Sequence, residues 1–438
     1  MPDEPLPFQT APWQERLATI LDMTRAISQQ TDPQDLVRTY GQKVRTLFPP
    51  SDAGLSASRR GLTWPRFRIT RSSRWTETIN PWKEKDRLPL FEGGLIAKLL
   101  YGDEPVILDD FQVDPDDPAY EYLAGYRSLM AIPMFDQGTS LNMVVRLGKT
   151  PALFERERLP EMVWMSNLFG RATHNLVLSD ELKEAYQALD REFKVVGEIQ
   201  RSLLPAELPQ IPSMQLAAFY QPSARAGGDY YDFFPLPDGR WGIFIADVSG
   251  HGTPAAVLMA VTHCIAHTFP GPAVPPAKVL DYLNRHLASR YTDRNGNFVT
   301  AFYGIYDAAS RRLTYSCAGH NPPRLKRCQD GSLLTLNGTN GLPLGISVDE
   351  SYAQAEQQLE VGDQIVFYTD GVTEAHDSAG RMFGTERLDG VLENCTLQAT
   401  GLLNEVLRAL DSFTAGYPAD DDRTLVVARI VLGSSGAT

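Results

Sequence analysis

Four aspartates stand where strand ends could bring them together: Asp229, Asp247, Asp370 and Asp421. In AGGDYYDFFPLPDGRWGIFIADVSGHG, the pair Asp238-Gly239 between two apolar runs reads as a two-residue hairpin turn. With that turn Tyr230 faces Asp247 and Asp229 faces Val248. Asp229 and Asp247 are then diagonal neighbours at the open end of one hairpin, ~7–8 Å apart. Ile365–Thr369 reads as an apolar strand that ends at Asp370-Gly371, and Thr424–Ala428 as one that begins after Asp420-Asp421-Asp422. In an antiparallel sheet the end of one strand and the start of another coincide. Carboxylates gathered in this way repel one another unless a cation sits between them. An all-oxygen site suits magnesium or manganese. Each Asp-Gly or Asp triplet alone is an ordinary turn or loop; the four together predict a two-metal site. Gly227-Gly228 before the first aspartate, and Gly250 and Gly252 after the second, allow the tight backbone such a site needs.

Cysteine chemistry is not expected. Cys264, Cys317, Cys328 and Cys395 form no CxxC pair, which speaks against a zinc site or a disulfide framework, and none has an Arg six residues on, as a thiol phosphatase loop requires. His263 and His267, at i and i+4, have metal-ligand spacing but read as one partly buried helix face. His320, in AGHNPP, reads as structural.

The elements that would carry these residues fall into three segments. Residues 13–29 have apolar positions at helical spacing; 32–175 read as short apolar strands and turns, with a hairpin of Leu129–Phe135 and Leu141–Leu147, and a returning helix from Glu155 to Leu178. In 178–204, Leu178, Leu182, Ala185, Leu189, Val196, Ile199 and Leu203 follow steps of four and three with one step of seven. That seam predicts either a short parallel coiled coil, broken at Glu192, or one amphipathic helix packed on a domain. Pro205, Pro209 and Pro212 end it. From Met214 to Ile430, strands are expected at 214–220, 230–236, 241–247, 298–306, 312–317, 365–370 and 424–430, and helices at 253–268, 276–290, 385–393 and 400–413.

A chain of 438 residues with 43% hydrophobic content is globular and long enough for two or three domains. No apolar run approaches the ~20 residues of a membrane span. The segment MPDEPLPFQT lacks the basic and apolar regions of a secretory signal, so a cytoplasmic location with no membrane partner is expected. A net charge of −13 and no Lys/Arg stripe exclude nucleic acid as the expected partner.

The run GGDYYDFF, ADVSGHGTPAAVLMA, AGHNPP, GLPLG, LEVGDQIVFYTDGVTEA, MFGTERL and DDRTLVV, in that order, resembles the PPM-type (SpoIIE/RsbU-type) bacterial serine/threonine phosphatase domain over about residues 190–432. The resemblance implies an αββα sandwich with two Mn2+ or Mg2+ ions between the sheets. It implies as ligands Asp229, Asp247 with the Val248 carbonyl, Asp370 and Asp421. Asp421 matches the first Asp of the family's Asp-Asp/Asn-x-Thr motif, with Asp420 and Asp422 left open. It implies a metal-bridging water that attacks a phosphoserine or phosphothreonine without a covalent enzyme intermediate. His251, in SGHG, could protonate the departing serine oxygen, or it packs the loop or hydrogen-bonds a ligand.

The front segment resembles a GAF domain more loosely, through ILDDFQVDP, GYRSLMAIPMFDQGTSLNMVVRLGK and LFERERLPEMVWMSNLFGRATHN. That implies either a small-molecule ligand of unknown identity or a ligand-free docking role. With no cysteine before Cys264, thioether attachment of a bilin there is excluded.

The expected molecule is thus α+β: a GAF-like sensory domain at 1–177 with an antiparallel sheet and helices, a coiled-coil helical linker at 178–204, and a PPM-type αββα phosphatase domain at 205–438. It is expected to act as a homodimer in signal transduction, on a phosphorylated partner protein in trans. By family analogy that partner is a STAS-type anti-anti-sigma factor in sigma-factor regulation. The rival readings are a metal-dependent phosphohydrolase for a small phosphate ester and an inactive pseudophosphatase that binds without turnover.

Overall fold

Two helices open the chain, α1 (Pro12–Ser28) and α2 (Pro33–Leu47). The structure, a computed structural model, describes residues 12–432 except 48–50, 78, 273, 293–295 and 394–396; the N-terminal decapeptide and Cys395 lie outside the described residues. Helix α2 was not anticipated, since 32–175 read as strands and turns. Its start is nevertheless encoded: the Asp32 carboxylate accepts from the N–H groups of Gln34 and Asp35 at 2.7 and 3.0 Å, and Pro33 takes the first helical position.

The chain divides into two compact units, Met1–Tyr186 and Gln187–Thr438. The first is built on β1 (Ala53–Ser58), β2 (Arg66–Ser72), β3 (Leu90–Glu92), α3 (Gly94–Tyr101), β4 (Val106–Leu108), α4 (Tyr120–Leu123), β5 (Ser128–Asp136) and β6 (Thr139–Gly148). The strands form one antiparallel sheet in the order β3-β2-β1-β6-β5-β4. Alternation decides its faces. Leu55, Phe67, Ile69, Met143, Val145 and Leu129 share a cluster with Ile96 and Leu100 of α3 and Leu123 of α4. A second cluster joins Met23, Ile27, Leu36, Tyr40 and Met165 from three helices.

Helix α5 runs unbroken from Leu159 to Arg201, 43 residues. The returning helix and most of the linker segment expected separately are therefore one rod. Leu178, Leu182, Tyr186, Leu189, Phe193 and Ile199 on it are exposed. Leu203, the last seam position, lies past the helix end and packs against the core of the second unit.

The second unit stacks two five-stranded sheets. One has the order β14 (Ala355–Gln358), β11 (Arg312–Ala318), β10 (Val299–Asp307), β9 (Arg240–Val248), β8 (Tyr230–Pro235); the other has β13 (Leu333–Thr335), β12 (Arg324–Lys326), β15 (Gln364–Tyr368), β16 (Arg423–Ile430), β7 (Met214–Gln221). Ile365, Phe367, Val426 and Ala428 of one sheet join Phe302, Tyr303 and Ile245 of the other in a single apolar cluster. Helices α6 (Thr253–His267) and α7 (Pro276–Leu287) pack on the first sheet, and α10 (Ala399–Thr414) on the second, with α8 (Asp370–Thr373) and α9 (Gly384–Val391) beside it. This is the expected αββα sandwich. The strands β12, β13 and β14 were not read from the sequence. Cys328 is disulfide-bonded, contrary to the expectation from spacing, whereas Cys264 and Cys317 are free.

Candidate metal centre and active site

The β8–β9 hairpin that carries the first two aspartates is one residue out of the register read from its turn. Asp238 and Gly239 do take positive φ, 62° and 69°, and Arg240 N–H donates to Pro237 O. Closing a two-residue hairpin also needs a return bond from residue 237, and proline has no N–H to give. Leu236 N–H donates to Arg240 O instead, at 2.9 Å. Tyr230 consequently pairs with Ala246, not Asp247. Asp229 precedes the ladder, and its side chain meets that of Asp247.

Asp229 is buried at 1% exposure. Its Oδ2 accepts from Thr369 Oγ1 at 2.7 Å and Thr424 Oγ1 at 2.6 Å, and Thr424 N–H donates to Thr369 Oγ1 at 3.0 Å. Both threonines belong to the other sheet system: Thr369 follows β15 and Thr424 lies in β16. Asp229 is thus the polar rivet between the two sheets. Its Oδ1 is buried and has no hydrogen-bond partner among the described residues. The sequence reading missed both threonines, although each adjoins an aspartate motif.

Electrostatics link the rest of the set. Burial, then the charge of Asp247, raises the Asp229 carboxyl well above the ordinary range. Burial, then Asp370 and Asp421, pushes Asp247 up to about 8. Asp370 is raised by burial and then Glu374, and Asp421 by burial and then the charges of Asp370 and Asp422. No Lys or Arg among the described residues forms an ion pair with any of the four. A buried carboxylate without a partner is costly, and a shared cation is the remedy its donor set allows.

The three aspartates before β16 have different surroundings. Asp420 is exposed and pairs with His376 at 3.4 Å. Asp422 is spent on backbone: Oδ1 accepts from Ser223 N–H at 2.7 Å and Oδ2 from Gly228 N–H. The charge of Asp421 acts on Asp247, and that of Asp370 acts on Asp421; the charge of Asp422 also reaches Asp229, Asp247 and Asp370. Two glycines make the approach feasible. A Cβ on Gly371 would sit 2.0 Å from Asp422 O, and one on Gly228 would sit 2.7 Å from Val248 O. The Val248 carbonyl therefore lies against the loop that leads into Asp229.

His251 is exposed in the turn before α6, close enough to Asp421 for its charge to lower that carboxyl. His320 is buried, bonds Thr300 Oγ1 at 2.8 Å, and is pushed down to about 4 by burial, so it is neutral, as a structural histidine should be. His263 and His267 meet Asp232 in a group whose ligand atoms lie within 4.8 Å of one another. Asp232 there already accepts from Tyr230 OH and the Phe233 N–H and lies 2.7 Å from His267 Nε2. That cluster needs no ion to satisfy it.

Comparison with known proteins agrees with this architecture. The family model for Stage II sporulation protein E (SpoIIE) matches residues 237–431, which include Asp247, Asp370 and Asp421 and begin after Asp229. Phosphoserine phosphatase RsbU of Bacillus subtilis is 32% identical over 248 residues, 57% of this chain and 72% of RsbU. Phosphoserine phosphatase RsbP of the same organism is 29% identical over 42% of this chain and 45% of its own length. The SiaA-PP2C domain of Pseudomonas aeruginosa superposes with a TM-score of 0.50 at 21% identity, over 57% of this chain and 99% of that domain, a likeness of fold. Two stacked sheets, the aspartates at their shared edge and a 32% identical relative spanned over most of its length lead to one conclusion: the chain belongs to the SpoIIE/RsbU-type protein serine/threonine phosphatases.

Proposed function

We propose that this chain removes phosphate from a phosphoserine or phosphothreonine of a partner protein, with Asp229, Asp247, the Val248 carbonyl, Asp370 and Asp421 holding two divalent ions, manganese or magnesium. Phosphatases of this family depend on such metals in general, and the donor set here is all oxygen. One observation carries the reading: four raised carboxylates gathered together, with no Lys or Arg among the described residues paired to any of them. When bound, the ion pair supplies charge neutralisation for the phosphoryl oxygens and an attacking water acidic enough to react near neutral pH. The chain's own residues do the rest. Thr369 and Thr424 hold Asp229 at Oδ2 so that Oδ1 alone points to the centre. Asp422 fixes the Gly227-Gly228 loop. His251 stands exposed at the rim, which favours proton delivery to the departing oxygen over packing of its loop.

The partner we propose is a phosphorylated STAS-type protein supplied in trans, in line with the phosphoserine phosphatases RsbU and RsbP. The first unit is proposed to be a GAF-like sensor, which its antiparallel sheet and flanking helices support. The exposed apolar stripe of α5 supports a homodimeric helical linker. No helix among the described residues is long and apolar enough to cross a membrane, and the proposed location is the cytoplasm. The test is release of phosphate from a phosphoserine STAS protein with manganese, set against AMP and p-nitrophenyl phosphate. Turnover of the small esters alone would make the chain a small-ester phosphohydrolase. Metal binding with no turnover of any substrate would make it a pseudophosphatase.

A further inference from the structure

The first unit contains a cavity of about 630 Å³ between the sheet and its helices, within the ~300–1,000 Å³ usual for small-molecule sites. It lies on the face of the sheet opposite the apolar side chains of Phe67, Ile69 and Met143. Its floor is polar: Ser56 and Ser58 of β1 and Thr70 of β2. Alternating small hydroxyls of this kind read as a solvated sheet face, yet here helices cover them. The stacked rings of Tyr40 and Phe169, centroids 3.9 Å apart, form one wall, and Trp82 another.

The lining is strongly cationic. Arg60, Arg68, Arg71, Lys85 and Arg146 border the cavity against one acid, Glu181. Arg60 is paired with Asp136. Arg68 gives one bond to the Leu88 carbonyl, and Arg71 reaches Gln34 Oε1 at 3.4 Å and lies over the Trp82 ring. Among the described residues neither Arg68 nor Arg71 has a carboxylate partner. Burial without a counter-charge lowers the Arg71 guanidinium to about 10.

The backbone is bent to produce this arrangement. Residues three apart in a regular strand face opposite sides. Here Ser58 pairs with Arg68 and Ala57 with Ile69, but Ser56 pairs with Arg71, so Thr70 is an extra residue, a β-bulge. The bulge turns Arg71 onto the same face as Arg68. The bulge takes the guanidinium off the apolar face, where Phe67 and Ile69 point, and sets it over the polar cavity, where no carboxylate among the described residues answers it.

We infer that this cavity is a binding site for a small organic anion, whose phosphate or carboxylate is gripped by Arg68 and Arg71 and whose flat body lies against Tyr40, Phe169 and Trp82. Paired guanidiniums suit a planar or tetrahedral oxyanion, and the serine and threonine hydroxyls supply neutral donors around it. Thr173, His174, Val177, Leu178 and Glu181 of α5 also line the cavity, so an occupant touches the rod that continues to Arg201. The inference stands apart from the phosphatase reading, because it concerns binding and not turnover.

The test is calorimetric titration of the full chain with AMP, with 4-hydroxybenzoate, and with adenosine as the uncharged control. At least one of the two anions is expected to bind once per chain, and adenosine not at all. AMP binding would assign a phosphate head and 4-hydroxybenzoate binding a carboxylate head. Arg71→Gln and Arg68→Gln should each weaken binding about tenfold or more. Arg66→Gln, which removes an exposed partner of Glu92 on the same strand, should leave it unchanged. Melting temperature in the absence of anion is the fold control, and Arg71→Gln should not lower it, since it removes a desolvated charge. Binding of neither anion, equal binding of adenosine, or undiminished affinity in the doubly substituted Arg68→Gln/Arg71→Gln protein would overturn the proposal.

Discussion

Asp229 gives one carboxylate oxygen to two threonines and keeps the other bare, and the neighbouring carboxylates share its strain. Because Asp229, Asp247, Asp370 and Asp421 are all raised, the folded metal-free protein holds protons that the unfolded chain has released. Stability of that form is complete below the ordinary carboxylate range and falls as pH rises towards about 8, the value for Asp247. Manganese displaces the same protons, so its stabilising effect should grow over that interval. Melting temperatures with manganese and with EDTA should diverge from about pH 5 to about pH 8; convergence would contradict the shared-cation reading. Asp247→Asn should abolish manganese-dependent turnover yet melt in EDTA at least as high as the parent, since the amide resembles the protonated acid already present. Wild-type turnover at saturating manganese would refute the assignment. Thr424→Val should release Asp229 Oδ2, cost about 1–3 kcal/mol of stability, and weaken manganese binding. At this scale the acids were legible because strand ends and Asp-Gly turns announce them. The threonines were not, because a hydroxyl's partner on another strand has no local signature, and the register slipped because the proline before the turn was not counted as a missing donor.

Among the elements, α5 is the one whose meaning changed most. A Cβ on Gly197 would lie 2.0 Å from Arg225 O, so this glycine permits close contact between the helix and the loop that leads to Asp229. Gln200, three residues on, is buried and clamps that loop: its amide donates to Gly227 O at 2.7 Å and Tyr220 OH at 3.0 Å, and Gly227 N–H donates back to its oxygen at 2.8 Å. The helix end is therefore wired to the residues that precede Asp229. Gln200→Ala should lower turnover and manganese affinity together while leaving the exposed stripe intact, and an unchanged manganese titration would argue that the clamp is merely structural. Leu189→Asp should shift the sedimentation of the chain towards monomer; a parent already monomeric at micromolar concentration would dispose of the dimeric linker. The long strands and the amphipathic helices of the second unit were legible from periodicity. The short β12, β13 and β14 were not, because three or four residues at a sheet edge carry too little alternation to stand out from loop.

For the whole molecule, the metal chemistry and the thiols are separate matters. Cys264 is exposed and free, while burial pushes the Cys317 thiol up to about 11, out of reach of ordinary alkylation. EDTA should stop turnover and iodoacetamide should not; loss of activity on alkylation in a folded, manganese-loaded protein would reopen the question. The rivet between the sheets has a further consequence, one of timing. Asp229 and Thr424 are 195 residues apart in sequence, and β16 sits between β15 and β7, inside its sheet. Contacts of that span close late, and chains emerge from the ribosome at roughly 5–20 residues per second. For some ten seconds or more after Asp229 is made, the nascent chain has neither Thr424 to hold it nor Asp421. On the proposed site, a growing chain is silent until β16 has docked.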